Sequence, residues 1–320
     1  MKPFSGSTHP SCQGEFDAIR PKTISKFVWE SDRMTIGNRN LPTLLLALTL
    51  GSAVAASAQD PKQPDPAQPP PKQPDPKQIV QQVVNTELTT VKADQSRWLY
   101  YEVDRKPNSV VSQWVAQTPK GELRRIVKEN SHKLSDAEQH QKMDAFLQDS
   151  SAQARDRKKL QEDDRQTVDL LTLLPQAFLW TCGGTQDTQM TLHFKPNPTF
   201  HAPNREARVL SGVEGDLVVN SSQHRIISLK GQLIHDVKFG GGLLGELKAG
   251  GTFDIERREM SQGEWQITET HVHLQGHMLL FKSVSEQQDD EKSNFKLLPS
   301  SFSSDQAESE LLQKGDLATN

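Results

Sequence analysis

His271-Val272-His273 sets two imidazoles on one face of a strand, because side chains alternate along extended backbone. With a third ligand such a pair can hold zinc, and Glu269 on the same face offers a further ligand or a base. His277 follows closely, and His235 falls in another predicted strand. Histidines two apart also arise as plain, partly buried, hydrogen-bonded side chains, and the chain has no helical His-Glu-x-x-His. His271 and His273 are therefore weak metal candidates, and no cofactor is expected. Gly240-Gly241-Gly242-Leu243-Leu244-Gly245 matches G-x-G-x-x-G in letters. A dinucleotide site needs that loop to open a helix within a βαβ unit, so that helix amides face the pyrophosphate. Here Glu246–Ala249 leads straight to another glycine pair and a strand, so the run reads as a hairpin tip. Leu243, Leu244 and Leu247 put apolar side chains on that tip, suited to fold back as a lid or to touch a membrane or partner. Cys182, beside Trp180 and Gly183-Gly184, would need a nearby histidine to act as a nucleophile. A small buried hydrophobe is its commoner role. No G-x-S-x-G elbow is present, and Glu214 with Asp216 on one strand face identifies no substrate. The expectation is a protein that is not an enzyme.

The aromatics carry a broader signal. Trp98 and Tyr100 share a strand face, and Trp114, Phe178, Trp180 and Trp265 lie in other strands. On a sheet covered by few helices, such residues either line an apolar cavity or fill a plain core. The first alternative makes Trp98, Tyr100, Trp114 and Trp180 the ligand-lining set.

These residues must be positioned by a small number of elements. Ile79, Val80, Val83, Val84, Leu88 and Val91 recur at spacings of three and four, an amphipathic helix. Three strand-like segments follow, 97–105, 109–118 and 122–130, separated by Lys106-Pro107-Asn108 and Pro119-Lys120-Gly121 as hairpin turns would separate them. Ser135 with Glu138 forms a capping box opening a charged helical insertion over 135–174, which Pro175 should end. Strands are then predicted at 177–182, 188–195, 207–219, 223–239, 252–260, 264–275 and 278–286. The expected fold is mainly β (α+β): a single curved antiparallel sheet or half-barrel with an N-terminal amphipathic helix and a helical insertion, occupying 79–288. The polar, serine-rich residues 289–320 read as a disordered tail.

Outside that domain, 41–58 is an apolar run ending Ala56-Ser57-Ala58, preceded by Arg33 and Arg39. A basic region, a short apolar core and an A-x-A site describe a secretory signal peptide over 34–58, cleaved near Ala58. It falls short of the ~20 apolar residues a span needs. Residues 1–33 then read as a non-native extension before a true start at Met34. Residues 59–78, with KQPDP at 62–66 and 72–76, read as a polyproline spacer. The expected location is periplasmic or secreted. The 37 basic and 41 acidic residues leave a net charge of −4, which argues against a nucleic-acid partner. The first 58 residues hold six of those basic and four of those acidic side chains, so the remainder has 31 and 37. A mean hydropathy of −0.66 excludes a polytopic membrane protein. With one cysteine left after cleavage, no internal disulfide is expected.

The order signal peptide, amphipathic helix, three-strand meander, helical insertion and long antiparallel meander resembles the LolA-like outer-membrane lipoprotein carrier superfamily. That resemblance implies an incomplete barrel, closed by helices, that holds acyl chains. The run LLPQAFLW…FKPNP…REARVLSGVEGDLVV…LIHDVKFGGGLLGELKAGGTF is similar to an uncharacterised family of secreted bacterial proteins. Two function classes stay open: an envelope or periplasmic protein sheltering a lipid or other apolar ligand, with transient membrane or envelope-protein contact, and a secreted metal-dependent enzyme centred on His271 and His273. A structural or interaction module is a third reading.

Overall fold

The structure is a computed structural model that describes residues 75–242, 245–278 and 283–315. The expected extension 1–33, the signal segment 34–58, nearly all of the proline-rich stretch, and Leu243 and Leu244 lie outside these residues.

Helix α1 (Pro76–Ala93) starts three residues earlier than its apolar periodicity suggests. Asp75 is the N-cap, its carboxylate accepting from the Lys77 amide, and Pro76 occupies the first turn, where a missing N–H costs nothing. Strands β1 (Arg97–Lys106), β2 (Ser109–Thr118) and β3 (Gly121–Glu129) form the expected meander, followed by a two-residue β4 (His132–Lys133). The insertion is two helices, α2 (Asp136–Gln148) and α3 (Ser150–Ala177), with Asp149 ending the first and capping the second. Both halves of the Ser135–Glu138 capping box form, and α3 carries Pro175 inside its last turn instead of stopping before it.

The second meander runs β5 (Phe178–Gln186), β6 (Gln189–Pro196), β7 (Val213–Asn220), β8 (Arg225–Leu233), β9 (Val237–Phe239), β10 (Gly245–Leu247), β11 (Thr252–Ser261), β12 (Glu264–Met278) and β13 (Ser283–Leu298). Three predicted strands change. The one at 207–219 begins as a 3-10 segment, Glu206–Gly212, and the one at 223–239 breaks at 234–236. The one at 278–286 lies partly outside the described residues, and its described parts belong to the end of β12 and the start of β13. The sheet order is β4-β3-β2-β1-β13-β12-β11-β8-β7-β6-β5, antiparallel at every pairing and open at β4 and β5, with β9 and β10 attached to β12.

The tail is the main correction. Residues 289–315 are not disordered. They form most of β13 and then α4 (Ser304–Leu312). β13 pairs with β1 on one side and with β12 on the other, so it is an interior strand. Its polarity misled the reading because its inward side chains are polar yet buried and paired. Lys292 bonds both Asp290 and Glu102 (3.4 Å from the latter), and Gln113 donates to Glu102 at 2.6 Å. Helix α4 has its own capping box, Ser303 with Gln306, and buries Ala307 and Leu311 completely among Leu99, Tyr101, Trp114, Leu123 and Met143. Buried Arg125 holds its end, donating to the Leu311 and Lys314 carbonyls, while the Trp114 indole donates to Gly315 O at 3.1 Å.

Alternation along β1 separates the two faces. Leu99, Tyr101 and Val103 lie under α2 and α4, whereas Trp98 and Tyr100 pack with Val115, Met260 and Phe295 on the other side. On that second face α1 packs on β5 and β8, and α3 on β3 and β5. The cover is fixed by charge as much as by apolar contact. Glu87 of α1, fully buried, accepts on Oε1 from Arg257 Nη1 (2.8 Å) and the Ile226 amide (2.7 Å), with Arg225 Nε 3.2 Å away. Burial pushes Arg257 down to about 10, with Glu87 opposing and Arg225 adding to the shift, so it keeps its charge at neutral pH. Asp156 of α3 meets Arg124 at 3.3 Å.

Two outcomes follow for stability. A chain ending at residue 288 loses the strand between β1 and β12 and shows no cooperative transition in thermal circular dichroism. The milder Leu311→Ala keeps the fold and costs about 2–5 kcal/mol in urea titrations. The second concerns Asp290, whose carboxyl burial pushes up to about 6, Lys292 opposing and Glu102 adding. The folded state therefore binds that proton more tightly than the unfolded chain. Its stability declines as pH rises from the ordinary carboxylate range through about 6. Asp290→Asn removes this decline. Measured by urea titration, it gains on the order of 1–3 kcal/mol over wild type above pH 7 and converges with it below pH 4.

Candidate functional site

The half of the outer face that α2 and α4 leave bare carries a row of side chains crossing seven strands. Following the pairing register, His193 of β6 stands opposite Asp216 of β7, then Lys230 of β8, Asp254 of β11, His271 of β12, Asp289 of β13 and Arg105 of β1. Directly opposed residues point to one face, so an unbroken strand-to-strand path alternates basic and acidic groups. The pairs close along it. His193 Nδ1 and Asp216 Oδ1 are 2.5 Å apart, and Lys230 Nζ lies 3.1 Å from Asp254 and 2.7 Å from Glu256. His271 Nδ1 and His273 Nε2 converge on one oxygen, Asp289 Oδ1, at 2.8 and 3.0 Å.

A second row beside it holds Glu256, Glu269 and Glu291 on adjacent strands. Three opposed carboxylates would repel, but each has its own cation: Lys230, Arg258 at 3.0 Å and Arg105 at 2.8 Å. On the other flank lie Glu214, Gln232, Thr252 and His273. The His193–His273 region forms a trough of about 630 Å³, with Lys195, Phe194, Phe253 and the opposed pair Gly215 and Gly231 also lining it. Glycine is required at 215, where a Cβ would stand 1.9 Å from the Lys230 carbonyl oxygen. Gly231 makes room for the Phe253 ring, which a Cβ there would meet at 2.5 Å.

Electrostatics follow from this pairing. The hydrogen bond from Lys230 to Glu256 raises the Lys230 ammonium above its ordinary value. Burial acts against ionisation of Asp289, but the bonds from His271 and His273 outweigh it and hold that carboxyl below the usual range.

The expected site residues are distributed differently from the sequence reading. His271 and His273 do share a face and do come together, on Asp289, with Glu269 Oε2 3.9 Å from His271. Among the described residues no group of three or more His, Cys, Asp or Glu is disposed to hold a metal ion. His235 stands in the loop between β8 and β9. The four aromatics do not face one cavity. Trp98 and Tyr100, 3% and 2% exposed, pack on Phe295, while Trp114 points to the opposite face and meets Tyr101 at 5.3 Å. Trp180 belongs to a third group with Phe178 and Phe194, its indole donating to Leu174 O at 3.3 Å. Leu247 is not on a loop tip. It lies in β10, clamped between β9 and β12 and 1% exposed. The glycine run is the tip of the β9–β10 hairpin, with Phe239 opposite Gly245 and Gly241 in the left-handed region at φ 68°. Cys182 lies half-buried on β5.

Sequence reasoning missed His193, Asp216, Lys230, Asp254 and Asp289 as a set. Each is an ordinary outward polar residue of its own strand, and only the register joins them.

No family model, curated protein or solved structure matches this chain. No described helix is long and apolar enough to cross a membrane.

The His pair makes a measurable claim. Because the folded carboxyl of Asp289 titrates below the unfolded one, the interaction stabilises above the unfolded value and is lost as pH falls through the folded value. In carbon-13 NMR titrations, Asp289 should titrate below the usual carboxylate range. His271→Asn and His273→Asn should each move it upward, and unchanged titration in both variants would show that the shift has another source.

Proposed function

We propose that this protein is an exported, non-enzymatic binding protein of the cell envelope, and that it holds its ligand in the outer-face trough. The observation carrying this reading is the trough itself, about 630 Å³ of concave surface on a rigid sheet whose ionisable groups are paired across strands. That volume lies in the range of small-molecule sites. His193 bonds Asp216 through Nδ1, and His271 and His273 meet Asp289 through Nδ1 and Nε2, so each ring is oriented by a carboxylate and turns its other nitrogen to the trough's contents. The export signal and spacer at 34–78 supply the location.

A second reading is favoured by the underside of the helical cover. Along it buried polar residues, Glu87 and Thr90 of α1 and Gln153, Asp163 and Thr167 of α3, interrupt the apolar contact of Ile79, Val80, Val83, Val84, Leu171 and Leu174, so separation exposes less apolar area than a wholly apolar seam would. Displacing α1 and α3 would open the inner face of the sheet to a lipid or other apolar ligand.

One experiment separates the two. Nitrogen-15 labelled protein is titrated with the aqueous and the organic extract of the envelope of its source cells, and separately with a fluorescent fatty acid. Shifts at 193, 216, 230, 252–254 and 271–273 with the aqueous extract are expected. Fatty-acid binding at micromolar concentration, with shifts in α1 and α3, would replace the trough by the interior. No shift with either extract would remove the binding reading altogether.

A further inference from the structure

Resting on the reading that the trough is a ligand site, we infer that it takes a neutral, polyhydroxylated chain: a short oligosaccharide laid across the strands. The charges of the central row are already matched. Asp216 has His193, Asp254 has Lys230, and Asp289 has His271 and His273. A ligand of strong net charge gains little here, because each group already has its opposite charge and these half-exposed pairs are screened by water. A neutral polyol needs no unmatched charge. Its hydroxyls donate to carboxylate lone pairs that the existing bonds leave open and accept from imidazole, ammonium and amide N–H groups.

The composition of the flanking row fits the same chemistry. Glu214, Gln232, Thr252 and His273 follow one another across β7, β8, β11 and β12, offering a carboxylate, an amide, a hydroxyl and an imidazole. Adjacent strands lie about 4.8 Å apart, so donors and acceptors recur at roughly the scale of one sugar ring. Gln232 donates to Glu214 at 3.3 Å, which orients its amide oxygen away from that contact and leaves it as an acceptor. The floor between the two rows is strand backbone at Gly215, Gly231 and Phe253, whose own side-chain directions point to the other face, and the C–H face of a ring can lie against it. Lys195, exposed at the β6 end, has no ion pair among the described residues and can donate at the rim.

A peptide meets this surface less well. Its backbone hydrogen-bonds best to a free strand edge, whereas the trough lies over interior strands whose backbone groups are already paired.

The test uses the full exported chain, residues 59–320, and three probes: chitotetraose as a neutral oligosaccharide, a trigalacturonate as an anionic one, and a tetra-alanine peptide. Nitrogen-15 chemical shifts and isothermal calorimetry are recorded for each. The expected result is saturable binding of chitotetraose, with shifts confined to 193–195, 214–216, 230–232, 252–254 and 271–273. Gln232→Ala combined with Thr252→Ala should weaken it at least tenfold with the melting temperature unchanged. Both side chains are on the outer face, so their loss leaves the buried cores intact. Cellotetraose in place of chitotetraose counts equally in favour. Binding of trigalacturonate or of the peptide in the trough, without a neutral sugar, would overturn the inference while leaving the trough a ligand site. Binding of none of these, when the aqueous envelope extract does shift the trough, would likewise overturn the sugar and spare the site.

Discussion

The sheet is one sheet because of β13. Among the described residues, the N-terminal meander, β1 to β4, and the long second meander, β5 to β12, pair edge to edge nowhere else. Arg97↔Leu298 through Arg105↔Asp289 attaches one half, and Glu269↔Glu291 through His277↔Ser283 attaches the other. The backbone pairing that crosses the middle of the sheet passes through this strand. On its inner side, Asp290 and Lys292 meet Glu102 of β1. On its outer side, Asp289 receives both histidines of β12. Buried ion pairs of this kind contribute little net stability, because desolvation offsets attraction, but an unmatched partner is expensive. They therefore fix which strand belongs in the gap more than they strengthen the join.

The two faces divide the work unequally. Inside, α1 and α3 lie on an apolar floor but are located by Glu87 among Arg225, Arg257 and the Ile226 amide. Outside, α2 and α4 seal only the β1–β3 end, with Arg125 gathering Gln139, Leu311 and Lys314 into one knot. The remainder of that face stays open, and it is there that the paired charges and the trough are found.

Local periodicity made α1, the β1–β3 meander and the capping box at Ser135 legible in the sequence, since each is determined by neighbours a few residues away. His271 and His273 were placed on a common face for the same reason. What escaped was set by partners far off in the chain. The segment SEQQDDEKSN looks like tail because eight of its ten side chains are charged or amide, and only Glu102, Gln113 and the two histidines make a strand of it. Trp114 looked like a companion of Trp98 and Tyr100. Alternation fixes the face within one strand, but no sequence rule says which face of β2 matches which face of β1. Lys230 and Asp254 gave no signal at all, and Asp216 only a face shared with Glu214, because a lone outward polar residue is what any half-exposed strand shows.

The position of the seam in the chain has a kinetic side. A ribosome makes β1 to β3 early and β13 almost last, and contacts such as Trp114 with Gly315 span 201 residues. Closing a loop of that length costs about 5 kcal/mol of chain entropy before any pairing repays it, and topologies rich in such contacts fold slowly. Until β13 arrives, β1 and β12 each present an unpaired edge, the arrangement most prone to join a wrong strand. The seam residues are thus also timing residues: how quickly Asp290, Lys292 and the α4 latch find their places decides how long two half-sheets stay open to mispairing.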